Sequence, residues 1–474
     1  MSGYWKIFAD TGGTFTDCLG LSPQGEECWE KVLSSGVSRL ELSGHGHQRR
    51  LEGRFPLIPG FFVGCSLVAK AGTAPLILDY DPHGRSLVLD RPLDPGDRNR
   101  QSIEVQTGLE APILGAHLLT RTPLGSPLPP LDFRLATTRG TNALLEEKGV
   151  PVAFFVTRGF GDLLRIGDQT RPDLFSLEIP DRRPIYRSVI EVSERIAADG
   201  RVLQEPDLDS LETACATSLA NGCRTAVVAF LNSYREAKHE EEVASFLRTR
   251  GFDHVITSAS VSPFIHYLNR AETALADGYL GPILNEYLDQ VASELSEGSR
   301  LQIMTSAGGL SERRFFHPKD SLLSGPAGGV VGAAEGARRL AWDRVIAFDM
   351  GGTSTDVSRI SGSFSYRHVL EVGPVRLQTS AVEIDTVAAG GGSLCRLEDG
   401  RFLVGPESAG ADPGPACYGK GGPLTLTDVH FLLGRLEPSR FAVPLAGSEA
   451  AEACDRLLDG ERDREAALEG FLRI

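Results

Sequence analysis

The apolar positions of this chain follow more than one period, and the changes of period mark its organisation. Residues 4 to 33 carry three short apolar runs, "YWKIFA", "FTDCLGL" and "EECWEKVL", which predict strands with a Gly-rich turn between the first two. Residues 40 to 130 change character. Pro and Gly become frequent, and brief alternating runs such as "APLILDY" and "RSLVLDRPL" predict small β elements joined by turns. The edges of this segment, "LSGHGHQRR" and "TPLGSPLPPLD", read as linkers, so it is expected to be a β-rich insertion.

From "RLATTRGTNALLEEKG" onward the pattern is α/β. "PVAFFVT" and "RTAVVAF" are short, continuous apolar runs suited to internal strands. "DLDSLETACATSLANG" and "AKHEEEVASFLRTRG" read as helices, each closing at a Gly suited to a C-cap. "RAETALADGYLGPILNEYLDQVASEL" predicts a long helical stretch interrupted near "GYLGP". "RLQIMTSAGGL" is a strand entering a Gly-rich turn, and "SGPAGGVVGAAEGARRLA" a helix of small residues. Beyond residue 385 the sequence looks loop-like and Gly-rich until a final charged helical segment. The expected division is 1–39, 40–130 (the insertion), 131–235 and 236–474.

One turn occurs twice. "DTGGTFTD" (Asp10 to Asp17) and "DMGGTSTD" (Asp349 to Asp356) agree at six of eight positions, and each follows an apolar β-run. Two adjacent glycines in a hairpin leave N–H groups free and let a ligand approach the backbone closely. Concave sets of N–H groups bind anions, phosphate above all, and an Asp at a strand end can hold Mg²⁺ through water. A single copy would be equally well explained as a tight hairpin in which Gly supplies positive φ. Two copies favour a pair of phosphate grips facing one cleft.

Composition narrows the ligand class. A formal net charge of -15 argues against nucleic acid or an anionic membrane as the main partner. The eight cysteines are scattered without a Cys-x-x-Cys pair, and no signal peptide or run of about 18 apolar residues is visible. These features lead to the expectation of a cytoplasmic protein.

The paired Asp-Gly-Gly-Thr hairpins resemble the phosphate 1 and phosphate 2 motifs of the actin, sugar-kinase and heat-shock-chaperone ATPase superfamily. "GPAGGVVGAAEGARR" (Gly325 to Arg339) is similar to its first connecting helix. A narrower resemblance rests on "DTGGTFTD", "TTRGTNALLEEKG", "TRGFGDLLRIGDQTRPDLFSL", "IMTSAGGL", "SGPAGGVVGA", "FDMGGTSTDVS", "GADPGPACYG" and "TLTDVHFLLGRL". Together and in this order they resemble the ATP-dependent hydantoinase A and 5-oxoprolinase family. The resemblance implies an α/β fold of two related ATPase-superfamily domains flanking a nucleotide cleft. It also implies ATP-driven opening of a cyclic amide (5-oxoproline, a hydantoin or another lactam), Mg²⁺, and a hydantoinase B-type partner in a hetero-oligomer.

Carried onto this chain, the resemblance implies that Asp10, Thr11, Gly12, Gly13, Thr14 and Thr16 form the first phosphate hairpin. Asp349, Gly351, Gly352, Thr353, Ser354 and Thr355 form the second, with Asp10 and Asp349 as catalytic residues and Mg²⁺ ligands. Asp17 and Asp356 are expected to cap their own hairpins. Thr141 and Asn142 are candidates for the substrate side or for a helix cap, and Arg165 and Arg171 for a substrate carboxylate or surface ion pairs. Asp412, Asp428 and His430 are weaker metal candidates. Two departures stand out: the 40–130 segment is longer than in compact members, and no Gly-Gly-x-x-Pro adenosine motif follows phosphate 2. The expectation is a chain truncated at its C-terminus, with a non-catalytic or split-site subunit as the alternative to a complete hydrolase subunit.

Overall fold

Alternation decides the first strand. In Trp5–Thr11 the side chains of Ile7, Ala9 and Thr11 turn inward while Lys6 and Asp10 face out, as a period of two requires. The computed structural model describes residues 3–474 apart from 14, 45, 69–73, 94–101, 171–174, 176, 178–181, 374, 411–412, 439–440, 442–444 and 459–462. Packing divides the chain into two units, Met1–Gly328 with Tyr366–Val382, and Gly329–Ser365 with Glu383–Ile474. The partition at 235/236 is a division by sequence, separate from this one by packing.

In the first unit Trp5–Thr11 lies within a six-stranded mixed sheet. The order is Leu310–Glu312, Arg300–Met304, Leu131–Thr137, Trp5–Thr11, Phe15–Leu21, Glu27–Leu33. Trp5–Thr11 runs antiparallel to Phe15–Leu21 and parallel to Leu131–Thr137, with Asp10 opposite Asp17 and Ala136. Ile7, Ala9, Phe133 and Leu135 share a core with Ile113 and Leu119 of helix Ala111–Thr120 and with Leu288 and Val291 of helix Tyr267–Ser293.

A second sheet in this unit is wholly parallel: Ser188–Val192, Val152–Thr157, Thr225–Ala229 and His254–Thr257. Every residue of Val152–Thr157 and Thr225–Ala229 is buried, the state of a parallel strand covered on both faces. The insertion forms a six-stranded antiparallel sheet with its own core around Leu40, Leu51, Phe61, Phe62, Tyr80 and Val105.

The segment read as β-rich also holds helix Ala111–Thr120, whose Gly115 rests on Cys18; the Cys18 Sγ would lie 2.3 Å from an added Cβ. Two expectations are corrected. Helix Tyr267–Ser293 runs unbroken for 27 residues through Pro282. Its Gly278 packs against Val227, where an added Cβ would lie 2.4 Å from Cγ2, and burial along this face holds the helix despite the lost N–H. The Gly-rich region beyond 385 contains a two-stranded ribbon, Ser393–Glu398 with Arg401–Ser408.

Glu272, on the same long helix, is buried with its Oε1 3.5 Å from Arg182 Nη1, and its Oε2 has no hydrogen-bond partner. Burial pushes its carboxyl up to about 7 against the opposing pull of Arg182 and Arg376. The folded state therefore holds this proton more tightly than the unfolded chain does. The stability linked to it is present below the unfolded carboxylate pKa and is lost as pH rises through about 7. Melting of wild type and Glu272→Gln at pH 5 and pH 8 is expected to show the variant gaining on wild type at the higher pH by roughly 1–3 kcal/mol.

The second unit holds the sheet Arg344–Met350, Thr355–Ser361, Ser363–Phe364, with Asp385–Val387 also on Thr355–Ser361. Helices Leu426–Leu432, Gly447–Leu458 and Arg464–Leu472 pack with the ribbon around Val429, Cys454 and Phe471. Among the described residues no helix is long and apolar enough to cross a membrane.

Candidate functional site: two glycine hairpins

The two repeats fold into hairpins of the same register. Asp10 faces Asp17 and Thr11 faces Thr16; Asp349 faces Asp356 and Met350 faces Thr355. Each turn closes on one backbone bond, Gly12 N–H to Phe15 O at 3.0 Å and Gly351 N–H to Ser354 O at 2.9 Å.

The glycines are not required by backbone twist. None of Gly12, Gly13, Gly351 and Gly352 has a φ in the left-handed region, which removes the turn-geometry explanation. Space distinguishes them. A Cβ on Gly12 would come within 3.1 Å of Phe15 O, whereas one on Gly352 would meet nothing within 4 Å. Gly352 therefore leaves room above its turn for another molecule to approach the backbone, whereas a Cβ on Gly13 would touch Asn142 Nδ2 at 3.6 Å.

Side chains around the first hairpin hold its tip. Ser34 Oγ donates to Gly12 O at 2.8 Å and lies 3.0 Å from Thr16 Oγ1. Thr11 Oγ1 is 3.3 Å from the Tyr287 hydroxyl, and Thr138 N–H donates to Thr11 O at 3.0 Å. The Tyr287 phenol is pushed up to about 12 by burial, so it stays neutral and available for this bond. Lys31 bonds both carboxylate oxygens of Asp17 at 2.8 Å, consistent with a local role for that Asp.

Asp10 is exposed at the strand end, beside the start of the 16-residue helix Ser324–Arg339. A Cβ on Gly325 would lie 3.8 Å from Asp10 Oδ1 and 3.6 Å from Thr138 Cγ2. Ser324 Oγ donates to Thr137 O at 2.9 Å and fixes this helix start against the sheet. The positive end of this helix's dipole thus stands beside the first hairpin.

The second hairpin is held by the "AGGGS" loop. Gly391 N–H donates to Gly351 O at 2.9 Å, Gly392 N–H to Gly352 O at 2.7 Å, and Thr355 Oγ1 to Ala389 O at 2.6 Å. The contact is backbone on backbone, since a Cβ on Gly390 would lie 2.6 Å from Gly352 C. Thr386 Oγ1 donates to Asp356 at 2.7 Å, and Asp349 is exposed at its strand end.

The remaining candidates are placed as follows. Asn142, in helix Arg139–Leu145, lies over the first hairpin, its Nδ2 3.6 Å from where a Cβ of Gly13 would be and 3.3 Å from Thr138 Oγ1. Thr141 donates instead to Leu322 O at 2.5 Å. Neither caps the helix, whose N-cap is Thr138. Arg165 is exposed on the short helix Leu163–Ile166. Thr14, Arg171 and Asp412 lie outside the described residues.

Asp428 is buried and accepts four bonds, from the N–H groups of Ala416, Cys417 and Thr425 and from Thr425 Oγ1, at 2.7 to 3.1 Å. That set, with the capping box it closes on helix Leu426–Leu432, gives it a structural role. Among the described residues no three His, Cys, Asp or Glu side chains gather as a metal cage. Ser34, Thr138, Tyr287 and Ser324 carried no sequence signal as partners of the first hairpin, because each is brought to it by tertiary structure.

The profile of the hydantoinase/oxoprolinase family matches residues 270–462, and that of the hydantoinase/oxoprolinase N-terminal region matches 130–251. The 5-oxoprolinase of Saccharomyces cerevisiae is 39% identical over 478 residues, covering 93% of this chain and 32% of the yeast protein. The caprolactamase subunit alpha of Pseudomonas jessenii is 32% identical over 313 residues, 63% of this chain and 45% of that subunit. Nucleotide-free acetone carboxylase superposes with a TM-score of 0.67 at 21% identity, across 99% of this chain and 61% of that one. ATP-dependent caprolactamase from Pseudomonas jessenii superposes with a TM-score of 0.66 at 24% identity, with the same two coverages of 99% and 61%. The chain spans about a third of the length of the yeast relative. By its two profile matches and its 39% identity to the yeast 5-oxoprolinase, the chain belongs to the hydantoinase/oxoprolinase family.

Proposed function

We propose that this chain supplies the phosphate grips of an ATP-dependent cyclic amide hydrolase acting on 5-oxoproline, a hydantoin or a similar lactam. The observation that carries the reading is the pair of hairpins in one register, whose glycines are required neither by φ nor, at Gly352, by packing. Membership of a family that includes a 5-oxoprolinase, together with similarity to a caprolactamase subunit, supports the substrate class.

A lactam carbonyl is a poor electrophile because amide resonance stabilises it. Transfer of the ATP γ-phosphoryl group to the carbonyl oxygen breaks the bond to the β-phosphate, releases ADP and forms an imidate-like phosphate. Water adds at the carbonyl carbon, the ring C–N bond of the adduct breaks with a proton passing to nitrogen to leave an acyl phosphate, and a second water cleaves that to the carboxylate and inorganic phosphate. The first transfer needs positioning and charge neutralisation. Backbone N–H groups at Gly13 and Gly352, with the hydroxyls of Thr14, Thr353 and Ser354, are proposed to hold the phosphates, while Gly12, Gly351, Thr11, Thr16 and Thr355, whose N–H or hydroxyl groups bond within the fold, are proposed to shape the two hairpins.

Mg²⁺ fits the donors present. Asp10 and Asp349 each end a strand with an exposed carboxylate, and Mg²⁺ is commonly held by one or two carboxylates with water and phosphate. Bound there, it would neutralise phosphate charge. Asn142, beside Gly13, is proposed to face the transferring end, while Thr141, Arg165 and Arg171 remain proposed for the substrate side. The two domains are proposed to be related, and a hydantoinase B-type subunit in a hetero-oligomer is the proposed partner.

A second reading takes its support from the similarity to a protein named as a subunit, the caprolactamase subunit alpha: the chain contributes to a split site or is non-catalytic alone. ADP release with 5-oxoproline, hydantoin and caprolactam, by the chain alone and with a B-type subunit, tests both. Lactam-stimulated release supports the hydrolase. Release only with the second polypeptide supports the split site, and none in either condition refutes the hydrolase reading.

A further inference from the structure

The insertion meets the rest of the first unit across a cleft of about 660 Å³. One wall comes from the insertion: Val63, Leu109, His117 of helix Ala111–Thr120, and Leu124 in the loop after it. The other is the C-terminal end of helix Tyr267–Ser293, with Glu294 and Leu295. Clefts of about 300–1,000 Å³ at such joints, largely apolar with a few polar groups, are the usual seats of small molecules. None of the described residues that line this one belongs to either glycine hairpin.

The charge of the cleft has one sign. Glu294 is the C-cap of the long helix, which carries no basic residue in its last turn. The carbonyl end of a helix is negative and is commonly complemented by Lys, Arg or protonated His. Here a carboxylate stands in that place, and among the described residues no Lys or Arg lines the cleft. His117, 3% exposed, does not supply the missing charge. Its Nδ1 lies 3.1 Å from Thr122 O, which can only accept, so Nδ1 holds the proton of the neutral ring and Nε2 is an acceptor. Burial lowers the His117 pKa against the pull of the Thr122 carbonyl and of Glu294, so the ring is neutral near pH 7.

We propose that this cleft binds a small organic cation, an amine with a compact apolar body. Glu294 and the carbonyls of the last helical turn accept the ammonium N–H groups, and the apolar body lies against Val63, Leu109, Leu124 and Leu295. A nucleotide, a phosphate or a carboxylate would meet a carboxylate and the negative end of a helix, with no Lys or Arg in the wall to offset them. A bare metal ion would lack ligands, since among the described residues no three His, Cys, Asp or Glu side chains gather. The site shares no residue with the hairpins and takes a ligand of the opposite charge to ATP, so the two readings can fail separately.

The test is a titration of the full chain, labelled with ¹⁵N-glycine, at pH 7 with three probes that share one apolar body. Hexylammonium, hexanol and hexanoate are each added to roughly ten millimolar. Gly64 and Gly125 line the cleft, so their amide signals should shift with hexylammonium while those of the hairpin glycines stay in place. Affinity should fall in the order hexylammonium, hexanol, hexanoate. Glu294→Gln should weaken hexylammonium by about two- to fivefold, and Glu294→Lys should bring hexanoate ahead of it. Glu297 is exposed and does not line the cleft, so Glu297→Gln should change neither affinity nor order; it controls for general attraction to an acidic protein. The proposal is overturned if hexylammonium leaves Gly64 and Gly125 unmoved, or if hexanol or hexanoate binds as tightly to the wild-type chain. It is overturned equally if Glu294→Gln has no effect, or no more effect than Glu297→Gln.

Discussion

Asp10→Ala and Asp349→Ala are each expected to lower lactam-stimulated ATP hydrolysis by about a hundredfold or more. Both carboxylates are exposed at the ends of their strands, so neither is a packing residue whose loss would unfold its hairpin. Exposed polar substitutions of this kind normally shift stability by about 0.5 kcal/mol or less. The expected result is thus a large loss of activity with a nearly unchanged melting temperature. Asp10→Asn and Asp349→Asn, which keep shape and remove charge, should lose nearly as much, because the proposed role is to balance phosphate through Mg²⁺. A near-normal rate in either alanine variant would refute the assignment for that residue.

Gly352→Ala is expected to leave the fold intact and weaken Mg-ATP binding by at least about tenfold, roughly 1.4 kcal/mol. The added methyl meets nothing within 4 Å in the folded chain and projects into the space proposed for phosphate. Gly352 has no left-handed φ, so alanine adds no backbone strain. Gly329→Ala is the control. It also meets nothing within 4 Å, but it lies within helix Ser324–Arg339. There alanine should stabilise by about 1 kcal/mol. Calorimetric titration with Mg-ATP and thermal melts of both variants check the pair. Unchanged binding in Gly352→Ala would mean that its open space is not a phosphate site.

Local features were legible before the structure. The paired octets fold as paired hairpins, and "PVAFFVT" and "RTAVVAF" become the central strands of a parallel sheet, because continuous apolar runs are needed where both faces are covered. The alternating runs of the insertion likewise pair into one antiparallel sheet. What sequence could not show depended on distant residues. The hydroxyl partner of Thr11 is Tyr287, 276 positions away, and helix Ala111–Thr120 takes its place from a contact between Gly115 and Cys18. Asp428 looked like a metal candidate, yet four donors brought together by its helix cap occupy it. The purpose of the hairpin glycines was open for a related reason. Gly is compatible with either a positive φ or close approach by a ligand, and only the backbone angles separate the two.

The most direct measurement of the central claim is the response of the hairpin glycine amides to nucleotide. With glycine ¹⁵N-labelled in the full chain, Mg-ATP titrated to roughly ten millimolar should shift the signals of Gly12, Gly13, Gly351 and Gly352 even if binding is weak. Mg-tripolyphosphate should shift the same signals, and adenosine should not. If none of the four moves with Mg-ATP or Mg-tripolyphosphate while glycines elsewhere do, the hairpins are not phosphate grips and the account is wrong.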